Sequence, residues 1–203
     1  MRRLIAVLLG WCAALVAHAQ SPDLLRQVLD ELSTHAAVRA DFTQTRENPA
    51  LAQPQTSTGK LLFVLGRGML WQIEAPYRET LALAGERTAR VGDDGRPQAA
   101  RGDRGVAQVS QMLQGMLSGK PDEALRQFDV RAEGSRAQWT LHFTPRQARM
   151  ARVLRRIELR GGEYLEGIAV ELESGESTRI QFADTREAGP LSPLEKRALG
   201  MPP

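Results

Sequence analysis

Cysteine is almost absent from this 203-residue chain. The single one, Cys12, lies in an apolar run near the start, so the remainder can form no disulfide and offers no thiolate. Histidine is scarce too. Beyond His18 there are only His35 and His142, without H-E-x-x-H spacing. A lone histidine on a helix end or a strand is ordinarily structural or solvated. No G-x-S-x-G is present, so no nucleophile elbow is indicated. Gly115 to Lys120, G-M-L-S-G-K, lacks the spacing of a phosphate loop and ends a helical pattern, where the dipole repels phosphate. These absences leave no catalytic constellation and point to neither cofactor nor metal. Aromatics make up only 5% of residues, so the core must be built mainly of Leu, Val, Ile, Ala and Met. No internal repeat, low-complexity tract or domain-separating linker is visible.

One long apolar run is present, and it is at the start. Met1-Arg2-Arg3, the stretch Leu4 to Val16, and Ala17-His18-Ala19 form the charged, apolar and small-residue parts of a cleaved export signal. The pattern predicts removal of residues 1–19, leaving 20–203 as one exported, periplasmic domain. No later run is long enough to span a membrane. Trp11 precedes Cys12 where a lipoprotein signal needs a small residue, which argues against a lipid anchor. Without Arg2 and Arg3 the formal charge falls from +3 to +1, so strong attraction to nucleic acid or anionic lipid is not implied. The densest basic run, Arg146, Arg149, Arg152, Arg155, Arg156 and Arg160, lacks interleaved aromatics and reads as a solvated face rather than a nucleic-acid platform.

Along the chain, Ser21-Pro22-Asp23 opens a helix whose apolar stripe is Leu24, Leu25, Val28, Leu29 and Leu32, ending near His35. Val38, Ala40 and Phe42 alternate with polar residues as in a half-buried strand. Asn48 to Ser57 is a polar loop. Leu61 to Leu65 is a short apolar run, as in a strand covered on both faces or strongly curved. Gly66-Arg67-Gly68 makes a hairpin, and Met69, Trp71 and Ile73 alternate in the next strand. Leu81 with Leu83, and Thr88 to Val91, read as further strands, and Asp93-Asp94-Gly95 as a turn. Gly92 to Gly105 is polar and suited to a hinge. Val106, Val109, Met112, Leu113, Met116 and Leu117 share one helical face, stopped by Gly119 and Pro121. Phe128, Val130 and Ala132 begin a second run of strands, with a turn at Gly134-Ser135. Trp139, Leu141 and Phe143 follow, then Val153, Ile157 and Leu159, a hairpin at Gly161-Gly162, then Ile168, Val170 and Leu172, and finally Ile180 and Phe182. Such spacing predicts an antiparallel meander. Ser192-Pro193-Leu194-Glu195 reads as a capping box opening a last helix.

The order of Phe42 and Gln44 in one strand, Gly59 and Leu61 in the next and Trp71 closing a third resembles the amino-terminal half of the LolA family, periplasmic carriers of bacterial lipoproteins. The resemblance implies an α+β fold: an incomplete, strongly curved antiparallel β-barrel with an N-terminal helix and a helical lid. It implies a dry cavity for the acyl chains of lipoproteins or another lipid, an inner-membrane donor complex and an outer-membrane acceptor. In the family the strand after the glycine ends in an arginine followed by proline, and that arginine reaches inside to hold the lid closed. Here those positions are Leu65 and Gly66, with Arg67 the nearest substitute.

A bent sheet with few helices leaves a large apolar face to cover. The expected cavity wall is Phe42, Leu61, Phe63, Leu65, Met69, Trp71, Ile73, Leu81, Leu83, Met112, Met116, Leu141 and Phe143. Ordinary core filling would account for the methionines as well, but flexible Met69, Met112, Met116 and Met150 suit a surface that accepts varied ligands. The expectation is a monomeric, non-enzymatic carrier. The alternative is a structural or sensory interaction module, resembling the LolA-like domain of sigma-factor regulators.

Overall fold

The computed structural model describes residues 22–84, 87–99, 112, 114–116 and 121–202. The leader predicted for residues 1–19 lies outside them. Eleven strands form one antiparallel sheet, in the order β6-β5-β4-β3-β2-β1-β11-β10-β9-β8-β7. They are β1 (Ala37–Glu47), β2 (Gln55–Val64), β3 (Gly68–Ala75), β4 (Glu79–Ala84), β5 (Arg87–Val91) and β6 (Pro97–Ala99) in the first half. The second half holds β7 (Phe128–Ser135), β8 (Gln138–Pro145), β9 (Leu154–Gly161), β10 (Leu165–Leu172) and β11 (Ser177–Glu187). Each half is the expected meander. They join where β1 pairs with β2 on one side and with β11 on the other. The sheet does not close, and β6 and β7 are its two ends. This is the predicted incomplete barrel.

Period-2 alternation turns one row of side chains inward. Ala40, Phe42, Leu61, Phe63, Met69, Trp71, Ile73, Leu81, Leu83, Trp139, Leu141, Phe143, Ile157 and Leu159 share one core cluster. The amphipathic helix α1 (Pro22–Ser33) adds Leu24, Val28 and Leu32 to it. The apolar run in β2 is explained by burial of both faces. Leu62 and Val64, with Leu70 and Ala82, point the other way into a second cluster with Ala198 and Leu199 at the carboxyl end. That cover is the short helix α4 (Pro193–Ala198). Its capping box is complete, with Ser192 Oγ accepting from the Glu195 N–H and Glu195 accepting from the Ser192 N–H.

Several boundaries differ from expectation. β2 begins at Gln55, inside the predicted polar loop, because β1 runs on to Glu47 and pairs with it. Pro97–Ala99 of the supposed hinge forms β6 against β5. Pro121 opens a helix, α2 (Pro121–Gln127), as well as following another, since proline is tolerated in a first turn. Gly134 lies within β7 at positive φ, and the turn falls at Arg136-Ala137. Val153 is exposed and precedes β9; Leu154 takes its place in the core, beyond a bulge opposite Glu171 and Leu172. A single-turn helix, α3 (Ala148–Ala151), comes just before it. Of the predicted lid, Met112, Gln114, Gly115 and Met116 are described and helical. Val106, Val109, Leu113 and Leu117 lie outside the described residues.

Candidate functional site

Between α1, the β1–β3 half and the β10–β11 half lies a cavity partly open to solvent. Its wall is almost wholly apolar: Leu32, Val38, Ala40, Leu61, Phe63, Met69, Trp71, Leu165, Ile168, Ile180 and Phe182, with His35, Tyr164 and Thr185 as the polar members. Of the residues expected from sequence, Leu61, Phe63, Met69 and Trp71 line it. Phe42 stacks on Trp71 with ring centroids 3.7 Å apart and lines the neighbouring recess instead. Ile73, Leu81, Leu83, Leu141, Phe143 and Met116 are buried in the surrounding core, and Leu65 and Met112 pack partly buried against it. The β10 and β11 contributions were not anticipated, because nothing local in those strands shows that β11 lies beside β1.

Tyr164, Phe182 and Thr185 also line a wider recess of about 1580 Å³, open to solvent. Its rim is polar, with Asp41, Glu74, Arg160, Glu163, Glu166 and Asp184. Apolar slot and polar recess are therefore neighbours, the arrangement an amphiphile needs. Partial burial, then the charges of Glu163 and Glu187, push the Tyr164 phenol up, so it stays protonated across the neutral range.

His35 sits where α1 gives way to β1. Its Nδ1 is 2.6 Å from Oε1 of Glu187, and its ring stacks on Tyr164 at 4.4 Å. Its Nε2 is the one buried side-chain nitrogen or oxygen without a hydrogen-bond partner among the described residues. The loop of residues 34–36 carries no signal for this beyond a histidine next to a helix end.

Leu65 offers no guanidinium, and Arg67 is exposed in the β2–β3 turn, so it does not enter the interior. The contact between lid segment and barrel is made from the other side. Gln114 Nε2 donates to the Val64 carbonyl at 3.1 Å, and the Gly66 N–H donates to Gln114 Oε1 at 2.8 Å. Met116 is buried beside this contact and Met112 partly so.

Other titratable clusters are structural. Arg39 donates to both oxygens of Glu195 and to the Ala188 carbonyl, fixing α4 on the outer face. That bond, with help from Ser192, holds the Glu195 carboxyl down to about 2. In the basic run, Arg156 pairs with Glu171 across β9 and β10, Arg155 with Glu173 just past β10, and Arg146 with Asp129. No His/Cys/Asp/Glu group able to hold a metal ion exists among the described residues, and no described helix is long and apolar enough to cross a membrane.

The family described as outer membrane lipoprotein carrier protein LolA-like matches residues 16–190. Among curated proteins nothing matches. Solved structures share the fold at low identity. A LolA superfamily protein of Nitrosomonas europaea is 12% identical, with 83% of this chain and 95% of that one covered at a TM-score of 0.46. MucB is 16% identical, with 85% and 62% covered at a TM-score of 0.50. The MucA/MucB complex of Pseudomonas aeruginosa gives 16% identity, 83% and 59% coverage and a TM-score of 0.48.

Proposed function

Because the chain belongs to the LolA-like outer membrane lipoprotein carrier family, we propose that it is a periplasmic carrier. It holds the acyl chains of a lipoprotein or related lipid in the cavity under its sheet and delivers them to the outer membrane. The observation that carries this reading is the apolar wall shared by α1 and both halves of the sheet. Each methylene taken from water into such a wall contributes about 0.8 kcal/mol, so even a loose fit retains a long chain. The neighbouring polar recess leaves the cargo's head group in water. An inner-membrane donor and an outer-membrane acceptor follow from the family's role, and the chain itself acts by binding rather than catalysis.

A second reading is a protein-interaction module, since the MucB likeness at a TM-score of 0.50 places the same fold in a differently named protein. Native mass spectrometry of protein purified from the periplasm separates the two. A co-purifying lipid or lipopeptide is expected, and it should be lost in Trp71→Glu, which sets a charge in a wall position that is only 3% exposed. A clean ligand-free mass for the folded wild type favours the module. Retention of a fluorescent fatty-acid probe by folded Trp71→Glu would count against the cavity.

A further inference from the structure

Strands of an antiparallel sheet alternate in direction, so the turns after β1, β3, β8 and β10 all leave one edge of this sheet. An exposed apolar side chain standing alone is ordinary. Here such side chains collect on that edge. Leu51 follows β1, Tyr77 follows β3 and Val153 follows β8, at 47%, 58% and 63% exposure. A fourth, Leu194, is on α4. The described turns of the opposite edge hold no large apolar side chain as exposed. The segments carrying Leu51 and Val153 are both held to the turn between β10 and β11. Asn48 Nδ2 donates to Glu176 Oε1 at 3.0 Å, and the Glu173 N–H donates to the Val153 carbonyl at 2.9 Å.

The segment after β8 defines this rim. α3 turns Met150 against the core, and Arg152 continues its helical conformation. Arg149, Arg152 and Val153 stand at i, i+3 and i+4, on one face, and all three are exposed. Neither arginine has an acidic partner among the described residues, and neither does Arg78, exposed beside Tyr77. Of the acids nearby, Asp129, Glu171 and Glu173 are matched by Arg146, Arg156 and Arg155, and Glu176 by the Asn48 amide. The charge balance around α3 is therefore positive. We propose that this rim docks on an anionic phospholipid surface. Arg149 and Arg152, with Arg78 farther along the edge, take lipid phosphates, while Val153 and Leu51 sink below the headgroups. A guanidinium forks onto two phosphate oxygens at once, and apolar side chains set among cations suit the bilayer interface. A bilayer is continuous, so separate turns engage it together without a matching groove. The cavity wall reaches toward the opposite edge, where His35 precedes β1 and Leu165 opens β10. Docking is thus separate from cargo binding.

The test floats the delipidated exported chain with phosphatidylcholine vesicles, plain or with a third of the lipid replaced by phosphatidylglycerol. Binding should require phosphatidylglycerol and fade at about 1 M salt, where the screening length is roughly 3 Å. A basic residue at an anionic surface contributes a factor of about five, so Arg149→Gln with Arg152→Gln should weaken binding about 25-fold. Val153→Ser should weaken it roughly threefold through lost apolar burial. Arg67→Gln, in the β2–β3 turn of the opposite edge, should change it by less than about twofold. All these side chains are exposed, so each variant should keep the wild-type urea midpoint and its hold on a fatty-acid probe. No cysteine lies beyond residue 12, so Val153→Cys can carry an environment-sensitive dye. Its emission should shift to the blue on the charged vesicles, and that of a dye on Arg67→Cys should not. Absence of binding, equal binding to both vesicle types, or equal loss in Arg67→Gln and the arginine pair overturns the docking rim and leaves the cavity standing. Binding to poly-glutamate governed by the same arginines, without vesicle binding, assigns the rim to an acidic protein surface and overturns the proposal as well.

Discussion

Gly59 shows how one residue can be required for a backbone contact, whatever it lines. It stands opposite Ile73 at a register shift between β2 and β3. A Cβ built on it would run into the Gln72 carbonyl, a backbone group with no rotamer to yield. We expect Gly59→Ala to cost roughly 1–3 kcal/mol, as an overpacked site does, seen as a lowered urea midpoint. An unchanged midpoint would mean the strands separate there at little cost. Glu195 is the second such residue. Its carboxyl is held down from 4.5 to about 2, chiefly by the Arg39 hydrogen bonds and against partial burial. A depressed acid stabilises the fold fully above its ordinary value and loses that contribution as pH falls through its folded one. Wild type should therefore exceed Glu195→Gln in stability by about 1–3 kcal/mol at pH 6, a figure reduced for the pair's partial exposure. The gap should close between pH 4.5 and about 2. Urea titrations across that range measure it, and a constant gap would assign the loss to the cap rather than to the charge.

At the scale of elements, the bonds seen at α4 and at Gln114 differ in chemistry. The outer helix is fixed by a two-point Arg39–Glu195 bond and by Ala198 and Leu199 packed into the second cluster. In the described part of the lid segment, the neutral side chain of Gln114 bonds to the β2–β3 hairpin, beside methionines that repack readily. Segments that open belong to the less stable part of a structure. Gln114→Ala removes two hydrogen bonds of about 1 kcal/mol each and should speed both release of an acyl probe and amide exchange around Met112–Met116 by about tenfold or more. Exchange in β8 and β9 should not change. Equal acceleration in those strands would mean global destabilisation and would remove Gln114 as a latch.

For the whole molecule, the decisive pairing is β1 with β11, which joins the chain's two meanders edge to edge. β1 is then the middle strand of an eleven-strand order, hydrogen-bonded on both sides. Neither half can release its face without exposing the shared core. We expect one calorimetric unfolding transition, with folding in milliseconds to seconds, as contacts of long sequence separation impose. Two resolved transitions would show the halves to be independent.

The sequence by itself determined most of the elements. Alternation in Met69, Trp71 and Ile73 and in Trp139, Leu141 and Phe143, the helical stripe of α1 and the Ser192–Glu195 box are set by neighbours within a few residues. Those signals survive into the structure with small shifts at their ends. The apolar run in β2 announced two covered faces but could not say that Ala198 and Leu199 cover the second. Half of the cavity wall was hidden for the same reason. Ile180 and Phe182 are ordinary strand residues until β11 is laid beside β1. His35 and Glu187, 152 residues apart, meet only when that seam forms. Local periodicity and turn chemistry act over one strand or one turn of helix. The cavity and the cover of the sheet's outer face are made by contacts between distant segments, and only the assembled sheet brings those together.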